Sequence, residues 1–417
     1  MILSCKGLDT LHFSSKFNTK FMNATYLSNL TPLRGIAALL TVIYHVDLFL
    51  GNGANVLIRL KDSMALSRMY LMVDFFFILS GFIMCHVYGK WFEESVNSAT
   101  FKKFTIARFA RVYPLHLATL LFTIVLFYIS AQLGIPKNPV LQVENTGYSI
   151  VTNLLLLHSM NLHHWFSWVH ASWSISTEWW AYMIFPFLVR PLMKLNALGR
   201  VMVVLLCFAG YVSIMFFFVP LVTLPPELSF FVPPAGYPKD SLNVAFQFGF
   251  LRCLFGFVLG MMMYRGFEMN WGKKVLGNGY TMLILTLGLF LSLHFAMADV
   301  ITVSFFPFLL LSGAYGSKAI DRIFTNKALQ RLGDWSFSIY LVHQPLLYLI
   351  TNILIYTQVT NLEAPVKPDP LTSWIICIVF IALTLLVSFL TYRFLEVPAR
   401  QWINRKPKTL NDSALTS

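Results

Sequence analysis

Apolar stretches near 20 residues long recur along this chain, at 34–52, 69–89, 113–135, 173–190, 201–220, 245–264, 275–296, 300–316, 335–358 and 372–395, with charged residues gathered between them. At about 1.5 Å per residue, runs of this length cross about 30 Å of hydrocarbon, and a backbone in lipid must satisfy its own hydrogen bonds. The pattern therefore predicts an all-α polytopic membrane protein folded as a single bundle. With 57% of 417 residues hydrophobic and 12% charged, no appended soluble domain or fixed-period repeat is evident. An eleventh block, 149–160, holds 12 residues that rise only about 18 Å as a helix, too little to cross.

Charge placement orients the bundle. If 149–160 stays on one side and the N-terminus is cytoplasmic, 24 Lys and Arg fall inside and 6 outside; if it crosses, the split becomes 11 against 19. The positive-inside rule selects the first arrangement, with ten transmembrane helices and both termini cytoplasmic. The segment 53–68 dissents, external yet carrying Arg59, Lys61 and Arg68. The expected organisation is a cytoplasmic tail over 1–30, a transmembrane domain over 31–398 and a second cytoplasmic tail over 399–417. Lys6, Lys16 and Lys20 flank no apolar core resembling a secretory signal, and Met22 offers an alternative start. The formal charge of +13 raises nucleic acid as a partner, but the basic residues form neither run nor patch, and that class is set aside. Cys5, Cys85, Cys207, Cys253 and Cys377 are scattered without C-x-x-C spacing and read as small buried groups. The external loops 136–172 and 221–244, the latter with Pro225, Pro226, Pro233, Pro234 and Pro238, are placed to shape a lid or an acceptor cleft.

Ionisable residues inside such a bundle are costly and mark candidate sites. Arg34 and His45 lie eleven residues apart, three helical turns plus roughly 20°, and so share one face about 16 Å apart along the axis. Arg34 opens the first span at the inner face; Arg108 and Arg111 stand where the third begins, and the three cations suit a ring around one inner opening. His45, Asp74 and Glu178 all fall about 8–10 Å below the outer surface at helical rise. A base and two acids at one depth is what general-base chemistry requires. Each also has a structural reading. The arginines serve equally as topology anchors, His45 as a satisfied core histidine, and Asp74 as a carboxylate bonded to a neighbouring helix with Ser80-Gly81 for close packing. Ser172 or Ser174 fits a helix cap and Trp179-Trp180 an interfacial belt, which leaves Glu178 unexplained. Arg252 reads as a paired structural charge. His86, His116 and His158 read as structural, and His163, His164 and His170 as loop residues without metal-ligand spacing.

Seven motifs in order carry a family resemblance over roughly 30–400. They are Leu33-Arg34-Gly35 with His45; Val73-Asp74-Phe75-Phe76 to Ser80-Gly81-Phe82; Arg108 and Arg111 before Tyr113-Pro114; Ser172-Trp173-Ser174 with Glu178-Trp179; Arg252 with Phe257 and Gly260; Leu332-Gly333-Asp334-Trp335-Ser336 to Tyr340-Leu341-Val342-His343; and Tyr392-Arg393-Phe394-Leu395-Glu396-Val397-Pro398. The chain resembles the membrane acyltransferase-3 family, integral-membrane O-acyltransferases of cell-surface carbohydrates. Thr177 and Phe337 depart from the usual residues. The resemblance implies a multi-pass protein of the inner (plasma) membrane and an acyl donor, acetyl-CoA or another acyl-CoA, taken from the cytoplasm. It further implies a glycan or polysaccharide acceptor on the outer side, such as lipopolysaccharide or peptidoglycan, with His45 essential and Arg34, Arg108 and Arg111 serving the donor. The mechanism expected has CoA phosphates on the three arginines and His45 as base or acyl carrier, with Glu178 or Asp74 orienting it; no metal is called for. The rivals are a transporter or flippase of glycan or lipid-linked intermediates, for which the half-sequence symmetry is not found, a receptor without chemistry, and the membrane-bound O-acyltransferase superfamily, whose motif order differs.

Overall fold

The computed structural model describes residues 27–50, 57–231, 241–359 and 368–405, and among these every regular element is helical. Most of both expected tails, together with Cys5, Pro233, Pro234 and Pro238, lies outside the described residues. The principal helices are α1 (Leu30–Leu50), α2 (Met72–Tyr88), α3 (Ser98–Gln132), α4 (Gly147–Leu154), α5 (Trp173–Met193), α6 (Ala197–Ser213), α7 (Gly249–Glu268), α8 (Gly279–His294), α9 (Asp299–Tyr315), α10 (Lys318–Phe324), α11 (Lys327–Asp334), α12 (Ser336–Tyr356), α13 (Pro370–Thr391) and α14 (Val397–Ile403).

Each of the ten expected spans is a helix, but only seven of them are long and apolar enough to cross a membrane on that criterion alone: α1, α2, α3, α6, α7, α12 and α13, several extended by short flanking turns. The other three fall short for different reasons. α8 has 16 residues, α9 qualifies only together with α10 across a 92° bend, and α5 has the length but is too polar. The block 149–160 contributes α4, eight residues that rise about 12 Å, started by a capping box between Thr146 and Ser149.

α3 begins fifteen residues before the expected start of its span, on an Asn97 cap whose side chain accepts from Thr100 N at 2.9 Å. Apolarity marks where a helix enters lipid, whereas helix formation needs only backbone bonds and a cap. Arg108 and Arg111 therefore sit inside a continuous 35-residue helix, not at its start.

Two close backbone approaches fix the bundle. α2 packs most extensively on α7, and a Cβ at Gly81 would stand 1.9 Å from the Phe257 carbonyl oxygen while one at Gly260 would stand 1.9 Å from that of Ile78. α1 meets α11 where a Cβ on Gly333 would come within 2.0 Å of the Thr31 oxygen and one on Gly35 within 2.7 Å of Gly333 N. Small residues at such crossings let backbones touch. The second crossing seats Arg34 beside the turn that starts α12. In the segment 57–68, Arg68 Nη1 donates to Asp299 Oδ1 at 2.8 Å and Arg59 Nε to Asp62 Oδ2 at 2.8 Å, so two of its three cations are paired with carboxylates.

Candidate active site

Helices α1, α2, α3, α5 and α12 enclose a cavity of about 160 Å³. Arg34, Arg108, Arg111 and Glu178 all line it, and the structure thus brings together four of the six residues singled out from sequence. Arg108 and Arg111, three apart on α3, present neighbouring faces to the same space. Arg34 Nη2 donates to Ser336 Oγ at 3.3 Å. Arg111 pairs with Glu396, whose second oxygen accepts from Ser338 Oγ at 3.0 Å, and its guanidinium lies 5.0 Å from the Phe337 ring centre. Glu396 reaches it from a π-helical turn, Tyr392–Glu396, between α13 and α14.

Arg108 is bound differently. It stands between the rings of Tyr88 and Tyr182, at 5.4 and 5.3 Å, and touches Met84 Sδ at 3.5 Å. Its Nε is buried without a hydrogen-bond partner. Glu178 Oε1 accepts from Tyr182 OH at 2.5 Å and from Ser80 Oγ, which is itself 3.1 Å from Tyr182 OH. Ser80 and Glu178 come from separate motifs, and the carboxylate inside the bundle is explained by these two hydroxyls.

His45 is not among the cavity's lining residues, but a chain of polar groups leads to it. One turn along α5 from Glu178, Ser174 Oγ lies 2.8 Å from Tyr340 OH; the Tyr340 ring is 6.0 Å from that of His343; and His343 Nε2 is 3.2 Å from His45 Nδ1. His45 Nδ1 also donates to the Thr41 carbonyl at 2.9 Å. The expected convergence of Asp74 on His45 is not what the structure places there. Asp74 is fully buried against Arg252, with Nε–Oδ1 at 3.0 Å and Nη2–Oδ2 at 2.6 Å, and Arg252 donates further to the Val244 and Tyr70 carbonyls, each at 3.2 Å. Of the two readings of Asp74, the geometry matches the carboxylate bonded to a neighbouring helix, because its lone pairs are taken by a bidentate fork.

His343, Tyr340, Ser80, Tyr182 and Glu396 belong to the site's surroundings, and sequence reasoning quoted several in motifs without giving them a role. The rule that flagged His45, a titratable ring deep in an apolar block, applies equally to His343. Among groups outside the spans, burial raises the Asp334 carboxyl above its ordinary value while the charges of Arg34, Arg111 and Arg400 pull it down, which places a cluster of positive charge at that end of the cavity. In the loop before α5, burial pushes His158 and His170 down to about 3, so both are neutral there.

Comparison with known proteins adds the following. A family model described as an acyltransferase domain matches residues 28–393. Protein 2 in the picA locus of Rhizobium radiobacter is 32% identical over 157 residues, 36% of this chain and 75% of that protein. The acyltransferase MdmB of Streptomyces mycarofaciens is 30% identical over 281 residues, 65% of this chain and 66% of its own length. The peptidoglycan O-acetyltransferase OatA of Listeria monocytogenes is 22% identical over 388 residues, 90% of this chain but 56% of its own length. The chain thus spans less than two thirds of the length of these last two relatives. No solved structure matches it.

Proposed function

The chain belongs to the acyltransferase-3 family, and from that premise we propose that it is a multi-pass O-acyltransferase of the inner membrane, carrying an acyl group, acetyl first of all, from cytoplasmic acyl-CoA to a hydroxyl of a glycan or polysaccharide outside. In this reading α1, α2, α3, α5, α6, α7, α8, α9, α12 and α13 cross the membrane, residues 31–398 form the acyltransferase domain, and both tails are cytoplasmic. The charge split, 24 Lys and Arg inside against 6 outside, supports that orientation.

The observation that carries the proposal is the cavity itself: three arginines from two helices at one site, and a chain of polar groups from it to a histidine. Guanidinium forks suit the phosphate oxygens of a CoA donor. At about 160 Å³ the cavity suits the slender acyl-thioester arm while the nucleotide stays at the mouth. His45 Nε2 takes the proton from the acceptor hydroxyl as its oxygen adds to the thioester carbonyl carbon. The carbon–sulfur bond then breaks, and the imidazolium returns the proton to the departing thiolate. Glu178, held by Ser80 and Tyr182, puts a carboxylate in the wall of the same cavity. Asp74, with Arg252, holds α2 and α7 in register behind it.

The test is transfer of radiolabel from acetyl-CoA to a glycan acceptor by the purified protein in vesicles, alongside His45→Gln. The wild-type protein labels the glycan, and His45→Gln loses about 10²–10⁴-fold at matched expression, since glutamine keeps a hydrogen bond but exchanges no proton at neutral pH. Near-normal transfer by His45→Gln sinks the mechanism.

A further inference from the structure

The two imidazoles beside the cavity are each tied to their own helix. His45 Nδ1 is 2.9 Å from the Thr41 carbonyl oxygen, and His343 Nδ1 is 3.2 Å from that of Ile339, each one turn back. A carbonyl oxygen only accepts, so both Nδ1 atoms carry hydrogen, and in the neutral rings both Nε2 atoms keep a lone pair. His343 Nε2 lies 3.2 Å from His45 Nδ1. The N–H of His45 is therefore shared between a carbonyl of its own helix and the lone pair of a ring on α12, 298 residues away.

We infer that His343 is a positioning residue for His45: its Nε2 accepts the His45 Nδ1–H, keeps Nε2 of His45 as the bare nitrogen, and strengthens its hold when that nitrogen gains a proton. The inference rests on His45 being the proton acceptor proposed above. Both carboxylates expected at this depth are engaged elsewhere, Asp74 on Arg252 and Glu178 on Ser80 and Tyr182. The orienting partner is thus a neutral ring in place of an anion. Hydrogen bonds to a charged group are about twice as strong as neutral ones, so the His45–His343 bond tightens on formation of the imidazolium. The two rings, 4.9 Å apart centre to centre and tilted by 44°, are held at that angle by the carbonyl bonds of their separate helices. Tyr44, at 5.0 Å from His45, and Tyr340, at 6.0 Å from His343, complete the ring of aromatic neighbours.

Three variants separate this role from packing. His343→Gln places an amide oxygen near the position of Nε2, His343→Leu fills similar space without an acceptor, and His343→Asn keeps an amide that ends short of His45. Two readouts apply to each purified protein: the rate at which diethyl pyrocarbonate modifies His45, followed by peptide mass spectrometry, and kcat and KM for acetyl transfer. Leu and Asn slow modification of His45 and lower kcat about 10–100-fold with donor KM unchanged, whereas Gln stays within about fivefold of wild type. Wild-type behaviour of Leu or Asn in both readouts overturns the inference, as does a Gln variant no better than Leu. The modification rate needs no acyl donor. If the wild-type protein transfers no acyl group, the proposed function fails and the modification rates still decide the role of His343.

Discussion

Arg252 and Arg108 both lie deep among the helices, and their surroundings differ in kind. Arg252 is completely enclosed and its hydrogen bonds go to Asp74 and two backbone carbonyls, so its charge is met by a carboxylate and its donors by acceptors. Arg108 is met by sulfur and two phenol rings, and its Nε has no hydrogen-bond partner. A buried cation is tolerable when its donors are filled; one left with polarisable but weak neighbours retains capacity for an anion. The difference separates a fully paired buried charge from a guanidinium in the cavity wall with one donor, Nε, left unfilled.

The sharpest way to break that comparison is to remove one half of the filled pair. Asp74→Ala, or Arg252→Leu, leaves an uncompensated buried charge and destabilises the protein by about 3–5 kcal/mol, read as loss of folded protein in detergent thermal melts. The double variant Asp74→Leu with Arg252→Met recovers much of the loss, because two apolar groups need no partner. If either single variant melts like wild type while transfer alone disappears, Asp74 returns to the catalytic role first considered for it.

Next in size comes the cavity side. Arg108→Ala leaves the melting temperature near wild type and weakens acyl-CoA binding by about tenfold to a hundredfold, the range for a hydrogen bond to a charged group. The deficit shrinks at high ionic strength, where attraction to phosphate is screened in the parent as well. Arg111→Ala shows the same donor loss together with a fall in stability, since Glu396 is left buried beside Ser338. Unchanged donor affinity in both variants would make these arginines topology anchors and nothing more.

The smallest effect sharpens the comparison from outside the cavity. Asn97→Ala removes the cap of the long helix that carries both arginines and costs about 1 kcal/mol of stability. Donor affinity stays unchanged, because fraying of the first turn does not reach Arg108, three turns in. A donor defect in Asn97→Ala would mean that the extramembrane part of α3 itself binds the donor.

Much of this was legible in the sequence. The ten apolar blocks each coincide with a helix, and the block 149–160, read as too short to cross, overlaps a helix of only eight residues, Gly147–Leu154. Rise per residue puts Arg34, Arg108 and Arg111 in one inner layer, and they do line one cavity; Glu178, expected with His45 about 8–10 Å below the outer surface, lines that same cavity instead. What depth does not fix is azimuth. Asp74 and Glu178 were assigned one layer, yet Asp74 faces α7, and only the packing of chain segments 178 residues apart decides that Arg252 stands opposite it. The same holds for His343, distant in sequence from His45 by 298 residues. The apolar block starts only at 113, after Arg108 and Arg111, whereas α3 starts at Ser98, because charged residues end an apolar run without ending a helix, arginine and lysine being good helix formers.

The paired glycine contacts between α2 and α7 bear on how the molecule moves. Each helix presents backbone directly to backbone, and neither has a side chain at the contact that could act as a bearing for sliding or rolling. With the Asp74–Arg252 fork bolted a few turns away, translation of one helix past the other would drive carbonyl oxygens into one another while tearing a buried ion pair. The two travel as one rigid beam. Any movement that widens the cavity at the arginines has to be sought at the other walls, where the π-helical turn before α14 holds Arg111 through Glu396.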